Sequence, residues 1–164
     1  MENLNNQIDS MFREKIYYVE AENAARIKKL NIRYTKSNQK YFPEHLEALI
    51  GSYEKAIREI PRQFLRIEKS SRVKYLVFLD EKRRSDVLDM MTTDVEMLIE
   101  KMNREYRAIF KNQKRVEEFD DRMKNTLAIA NQKMDAETRK LAVNLKENLN
   151  SSKKLQPREL AKIF

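Results

Sequence analysis

The chain has 164 residues, of which 41% are hydrophobic and 37% are charged, and its formal net charge is +8. The charged fraction exceeds the roughly 25% of an average globular domain, which indicates wide solvated helix faces around a narrow core. One glycine and three prolines are too few for the turns of a sheet protein. The absence of cysteine excludes disulfide bonds and thiolate metal sites. The composition therefore predicts an all-α protein.

The first predicted helix covers about residues 3–38. Its apolar residues recur every three or four positions, which places them on one stripe of a helix. The stripe consists of Leu4, Ile8, Phe12, Ile16, Val19, Ile27, Leu30 and Tyr34. Asn23 lies on the same stripe. A polar amide there either fixes the register of packed helices or is an edge residue without a role.

The second predicted helix covers residues 43–80 and begins with Pro43, a residue favoured in the first helical turn. A kink or short break is expected at Pro61, because proline inside a helix removes one backbone hydrogen bond. Gly51, the only glycine, is a candidate for close helix approach. The apolar run 73–79 is predicted to be the most buried part of the protein.

The third predicted helix covers residues 86–149, which contain neither proline nor glycine. A continuous helix of this length would span about 95 Å. The alternative is a break at residues 111–115 that would give a four-helix bundle, but no turn chemistry marks it. The predicted fold is an elongated antiparallel helical bundle or coiled coil of three, possibly four, long helices. It occupies residues 1–150, and a basic tail with a short amphipathic helix follows at 151–164.

No constellation of residues in the sequence suggests catalysis, a metal site or a cofactor. The single histidine, His45, follows Pro43 and is interpreted as a surface residue at a helix start. With one histidine and no cysteine, neither a zinc site nor a histidine-dependent triad can be assembled within one chain. The chain is therefore predicted not to be an enzyme and to have no small-molecule substrate.

The long third helix carries more apolar stripe than the two shorter helices can cover. Isolated helices gain most of their stability from packing, so the remainder is predicted to bind a partner. The predicted partner-binding residues are Leu88, Met91, Val95, Leu98, Met102, Leu127, Met134, Leu141, Leu145, Leu149, Leu160, Ile163 and Phe164.

Basic residues that are close together in the sequence are candidates for anion or phosphate contact. The surplus of positive charge lies in the first half of the chain and in the tail, while residues 85–150 are balanced. Such a surplus permits contact with nucleic acid or anionic lipid. The candidates are Arg26, Lys28, Lys29, Lys82, Arg83, Arg84, Lys153 and Lys154.

The sequence predicts a non-enzymatic structural or adaptor subunit that assembles with itself or with other helical proteins through coiled-coil packing. Two alternatives stay open. One is a basic membrane-surface module that resembles BAR domains in architecture only, and the other is a nucleic-acid- or chromatin-associated helical module. No apolar run is long enough to span a membrane, and the N-terminus does not read as a signal peptide. The expected location is the cytoplasm or the nucleus.

Overall fold

The computed structural model describes residues 2–152, and in this part of the chain all regular secondary structure is α-helical. Four long helices pack into a bundle, and no strand occurs among the described residues. The helices are α1 (Glu2–Lys36), α2 (Pro43–Tyr75), α3 (Glu81–Asn112) and α4 (Val116–Ser152).

The helix α2 is central, because it packs against each of the other three. The loops at 37–42 and 113–115 lie at the same end of the bundle, where the side-chain amide of Gln113 donates a hydrogen bond to the Tyr41 carbonyl at 3.0 Å. Consecutive helices therefore run in opposite directions. As a consequence α1 and α3 are parallel to each other, as are α2 and α4.

One core fills most of the bundle and is built from the apolar stripes of all four helices. Phe12 of α1 meets Phe64 of α2 edge to face, with ring centroids 4.2 Å apart. Phe110 of α3 stacks on Phe119 of α4, with ring centroids 4.7 Å apart. A smaller cluster near the end of α4 consists of Leu79, Leu141 and Leu145. The stripes read from the sequence thus form the inner faces of the helices.

The prediction of one continuous helix over residues 86–149 is wrong, and the alternative break is present. The helix α3 ends at Asn112, and Lys114 adopts a left-handed conformation with φ 58°. The amide of Arg115 donates to the Phe110 carbonyl at 2.9 Å, and that of Lys114 donates to the Lys111 carbonyl at 3.1 Å. This pair of bonds is a Schellman motif, which usually contains glycine and is therefore hard to recognise without one.

The boundary between α2 and α3 also differs from the prediction, which placed it at residues 80–86. Asp80 caps α3, and its carboxylate accepts a hydrogen bond from the Arg83 amide at 2.8 Å. The apolar run 73–79 is not the most buried part of the protein. It crosses the end of α2, and Tyr75 and Leu76 are about half exposed, while Leu79 is buried.

Two further expectations about α2 concern its proline and its glycine. The helix runs through Pro61 without a break, and Pro61 is buried. Gly51 is not a point of close approach, because a Cβ atom placed on it would meet no atom within 4 Å. Neither residue therefore interrupts the packing of α2.

Asn23 is part of the interface between α1 and α2. Its side chain is 2% exposed, and its carbonyl oxygen accepts a hydrogen bond from the Ser52 hydroxyl at 2.8 Å. Arg26 donates to the same hydroxyl at 3.1 Å. The amide is thus a buried polar contact between two helices, and it ties their relative positions.

Candidate anion-binding surface on the second helix

The outer face of α2 carries a row of positive charge. Between Gly51 and Lys74 every exposed residue of the helix is lysine or arginine, except Ser70. Five of them follow one another at spacings of three or four residues, which keeps them on one side of the helix. We call them the α2 basic row: Lys55, Arg58, Arg62, Arg66 and Lys69. At 1.5 Å per residue the row is about 21 Å long.

The acidic residues of the same stretch do not neutralise this row. Glu54 is half-buried and receives a hydrogen bond from Arg122 of α4 at 2.9 Å, which lowers the pKa of that carboxyl. Glu68 is fully buried and pairs inside the bundle. Glu59 is the exception, because it pairs with Arg62 of the row at 3.0 Å. The charges of α2 are therefore segregated, with cations outward and most carboxylates inward.

Four of the five row residues have no ion-pair partner within residues 2–152, Arg62 being the one that does. Lysine and arginine stems can lie along apolar surface while their charged ends stay in water. Cations that are exposed and unpaired in this way keep their full charge available to an external anion.

The two sides of the row differ in charge. On the α4 side, Lys133 shares a cleft with Arg58, and Lys140 and Glu137 share another with Arg66 and Lys69. On the α1 side, two glutamates and one lysine, Glu14, Glu22 and Lys15, line a groove that includes Arg66. The positive surface is thus a narrow strip with an acidic border along α1.

The basic residues predicted from sequence are not brought together by the fold. Arg83 is 4% exposed and pairs with Glu68 and Asp9, and Arg84 pairs with Glu81 and Asp135. Neither is available to an external phosphate.

Of the remaining candidates, Lys28, Lys29 and Lys82 are exposed. Because Asp9 of α1 lies beside Arg83, Lys82 sits about 28 Å along the bundle from Lys28. Lys153 and Lys154 lie outside the described residues. The candidates thus form separate sites, whereas the α2 basic row was missed. The helical spacing of its lysine and arginine residues is visible in the sequence. The row was not predicted because these residues are not adjacent to one another in the chain.

The predicted partner-binding stripe lies inside the chain's own bundle. Met91, Val95, Leu98, Met102 and Met134 are buried in the main core, and Leu88 and Leu127 pack against it. Leu141, Leu145 and Leu149 are also buried, whereas Leu160, Ile163 and Phe164 lie outside the described residues. Because α4 folds back on α3, the part of this stripe between Leu88 and Leu149 is covered by the chain's own helices.

His45 is buried, contrary to its interpretation as a surface residue. Its ring lies against Tyr34, with centroids 4.5 Å apart, and its Nδ1 accepts a hydrogen bond from the Tyr41 amide at 2.9 Å. Burial and, less strongly, the charge of Lys40 lower the pKa of His45. The neutral form of His45 thus accepts the hydrogen bond that holds the loop between α1 and α2.

No group of three or more metal-ligating side chains comes together within residues 2–152. None of the helices in that range has an apolar stretch that could cross a membrane. Comparisons of the chain with protein-family models, curated proteins and solved structures found no match.

Proposed function

We propose that this protein is a non-enzymatic helical module that binds nucleic acid through the α2 basic row. The row would contact phosphates along one strand, with no readout of bases. Its support is one observation, that the exposed residues of α2 from Lys55 to Lys69 are all cationic, while two of the three acids between Gly51 and Lys74, Glu54 and Glu68, pair with other helices.

The dimensions of the row favour a linear polyanion. Five cations lie on a strip about 21 Å long and one side chain wide. Lysine and arginine that neutralise phosphates release condensed counterions, and this supplies most of the affinity of sequence-independent binding. Base-specific recognition would need side chains that reach base edges in a groove. The row contains no side chains for this purpose apart from its lysine and arginine residues.

An anionic membrane is the second candidate, and the acidic border argues against it. A bilayer is a plane that would extend beyond the row to α1, where two glutamates, Glu14 and Glu22, outnumber the one lysine, Lys15, in the adjacent groove. Like charges facing one another across an interface are repulsive. A single strand or one edge of a duplex can follow the row without meeting this border.

Assembly with other proteins stays a prediction, although the stripe first assigned to it is covered by the chain itself. A helical partner would need a surface other than the covered residues between Leu88 and Leu149. The outer side of α1 exposes apolar residues of this kind.

The binding experiment measures fluorescence anisotropy of labelled single-stranded and duplex oligonucleotides at about 50 and 200 mM salt. The test variant carries Arg58→Gln, Arg66→Gln and Lys69→Gln. Loss of three phosphate contacts should lower the slope of log affinity against log salt by about 2.7 for the duplex and about 2.1 for the single strand, and weaken binding on the order of 100-fold at low salt. Far-ultraviolet circular dichroism verifies the fold of each variant.

The matched control carries Lys82→Gln, Lys101→Gln and Lys124→Gln, which removes the same charge from exposed positions that lie off both the α2 basic row and α1. We expect this control to change affinity by less than about threefold, through the general field of the protein alone. Equal losses in both variants would mean that net charge, not the row, drives binding. Binding to anionic vesicles but not to either oligonucleotide would replace this proposal with the membrane candidate.

A further inference from the structure

The side of α1 that faces away from the core carries an exposed row of apolar residues. Met11 is 41% exposed, Tyr18 52% and Ile32 47%, and Ala25 is exposed as well. We call these four residues the α1 outer row. They are spaced seven residues apart, which is the repeat of one of the two positions of a heptad seam, and the residues between them on that side include Glu14, Glu22 and Lys28.

This row is not part of the bundle's own packing. The inward face of α1 consists of other residues, including Ile8, Phe12 and Val19, and its main contact is with α2. Single exposed apolar side chains are ordinary, but this set recurs along one side of the helix, with charged and small residues between its members, which makes it a candidate interaction surface. The neighbouring Tyr17 is 68% exposed, which adds an aromatic side chain of the kind enriched in interfaces.

We infer that the α1 outer row binds the same row of a second copy of the chain, with the two α1 helices antiparallel and a twofold axis at Ala25. In this register Tyr18 lies opposite Ile32 of the second copy, and the small Ala25 residues meet at the centre. A twofold arrangement uses each row once and closes the assembly as a dimer.

The charges beside the row select this orientation. Around the axis at Ala25, Glu22 lies opposite Lys28 of the second copy and Glu14 lies opposite Lys36, and each pairing occurs twice. A parallel pairing in register would instead place the glutamates of the two copies at the same level along the helices, and the lysines likewise. Like charges across a helix interface are unfavourable, so the antiparallel pairing is the one that the sequence of α1 supports.

The size of the free surface sets the strength expected of this dimer. It involves about six turns of one helix, with exposed rather than deeply buried apolar groups. Interfaces of this modest extent are usually weak and concentration-dependent. Tyr18 and Glu22 line the same groove as Arg66 of the α2 basic row. The pairing itself is formed by residues of α1, so its test does not require nucleic-acid binding.

The lack of cysteine in the sequence allows a direct test with the full-length chain. Ala25→Cys puts one thiol on the proposed axis, and oxidation should convert most of that variant into a disulfide-linked dimer. The control is Val143→Cys, at a position on α4 that is 54% exposed. It should form cross-links at least about tenfold more slowly, because random collision lacks the high effective concentration of a bound pair.

Sedimentation velocity of the unmodified chain over a series of concentrations provides the second readout. We expect a reversible monomer–dimer equilibrium that Ala25→Glu weakens by at least about tenfold, because two carboxylates would meet at the axis. Val143→Glu should leave it unchanged. The inference is overturned if the chain stays monomeric at every concentration, or if the two cysteine variants cross-link at the same rate.

Discussion

His45 occupies a closed position between the rings of Tyr34 and Tyr41. Its Nδ1 accepts a backbone hydrogen bond, and its Nε2 has no hydrogen-bond partner among the described residues. Protonation would put a hydrogen on Nδ1, break the bond to the Tyr41 amide and place a charge in a buried site. One side chain thus makes the connection between α1 and α2 sensitive to pH.

We expect the free energy of unfolding to fall as the pH is lowered below about 6.5, by up to about 1.4 kcal/mol per pH unit. Burial lowers the pKa of His45 in the folded chain, so below 6.5 the unfolded chain binds a proton that the folded chain does not. Urea denaturation at several pH values should show this slope in the wild type and not in His45→Gln.

The comparison with His45→Gln is needed because Asp94 acts in the opposite direction. Burial, and then the charge of Glu20, raise the pKa of Asp94 to about 6, against a smaller effect of Arg13. The folded chain therefore takes up a proton at Asp94 near pH 6 that the unfolded chain takes up only near pH 4, which favours folding as the pH falls. This contribution is common to both proteins and cancels in their difference. An unchanged slope in the variant would contradict the role assigned to His45.

At the scale of the helices, three of the four end in the same way without glycine. Asn38, Leu76 and Lys114 follow α1, α2 and α3, and each has a φ between 53° and 58°. In each case the next residue's amide donates to a carbonyl five positions back, as in a Schellman motif. A left-handed conformation costs a non-glycine residue about 1–2 kcal/mol. These ends are therefore maintained by the packing of the helices that they connect.

Lys114→Gly should raise the free energy of unfolding by about 1 kcal/mol, because glycine adopts the left-handed conformation without strain. The control is Lys111→Gly in the last turn of α3, where glycine should lower stability by up to about 1 kcal/mol. Thermal denaturation of both variants measures the difference. Destabilisation by both substitutions would mean that residue 114 is helical and that α3 and α4 are continuous.

At the scale of the whole molecule, a buried ionic cluster joins three helices at the end of the bundle opposite His45. Glu68 of α2 accepts hydrogen bonds from Arg72 and from Arg83 of α3, and Arg83 also pairs with Asp9 of α1 at 2.7 Å. Arg72 donates to the Phe78 carbonyl at 2.8 Å, which holds the loop between α2 and α3. The cluster thus fixes the relative positions of α1, α2 and α3.

Glu68→Gln should destabilise the fold by about 3–5 kcal/mol, because it leaves two buried guanidinium groups with less negative charge than they need. The control is Glu59→Gln, which removes a partly exposed i, i+3 pair with Arg62 and should cost less than about 1 kcal/mol. Chemical denaturation of the two variants gives both values. Equal and small effects would contradict the structural role of the cluster.

Local patterns in the sequence were enough to predict the helical class and the residues that face the core. The three- and four-residue steps of apolar residues depend only on helix geometry, and residues such as Phe12, Phe64 and Met102 are buried as their spacing predicts. The end of α1 and the start of α2 were predicted to within two residues, because polar turn formers and Pro43 mark them.

The candidate site was less accessible to such patterns. An arginine in a sequence has no visible partner, so Arg83 and Arg66 look equivalent until the fold puts Glu68 and Asp9 beside the first and leaves the second in water. Which cations are free is a property of pairs of helices, not of one segment.

By itself the sequence determined an all-helical chain with long amphipathic helices, because helix period and composition act within each segment. Only the tertiary structure decided that the chain turns back at Lys114, that α3 and α4 cover each other's stripes, and that His45 is buried. Each of these depends on packing energy from residues far apart in the chain. Packing energy can hold a non-glycine residue in a left-handed turn and an imidazole away from water. A local sequence pattern carries no information about that energy.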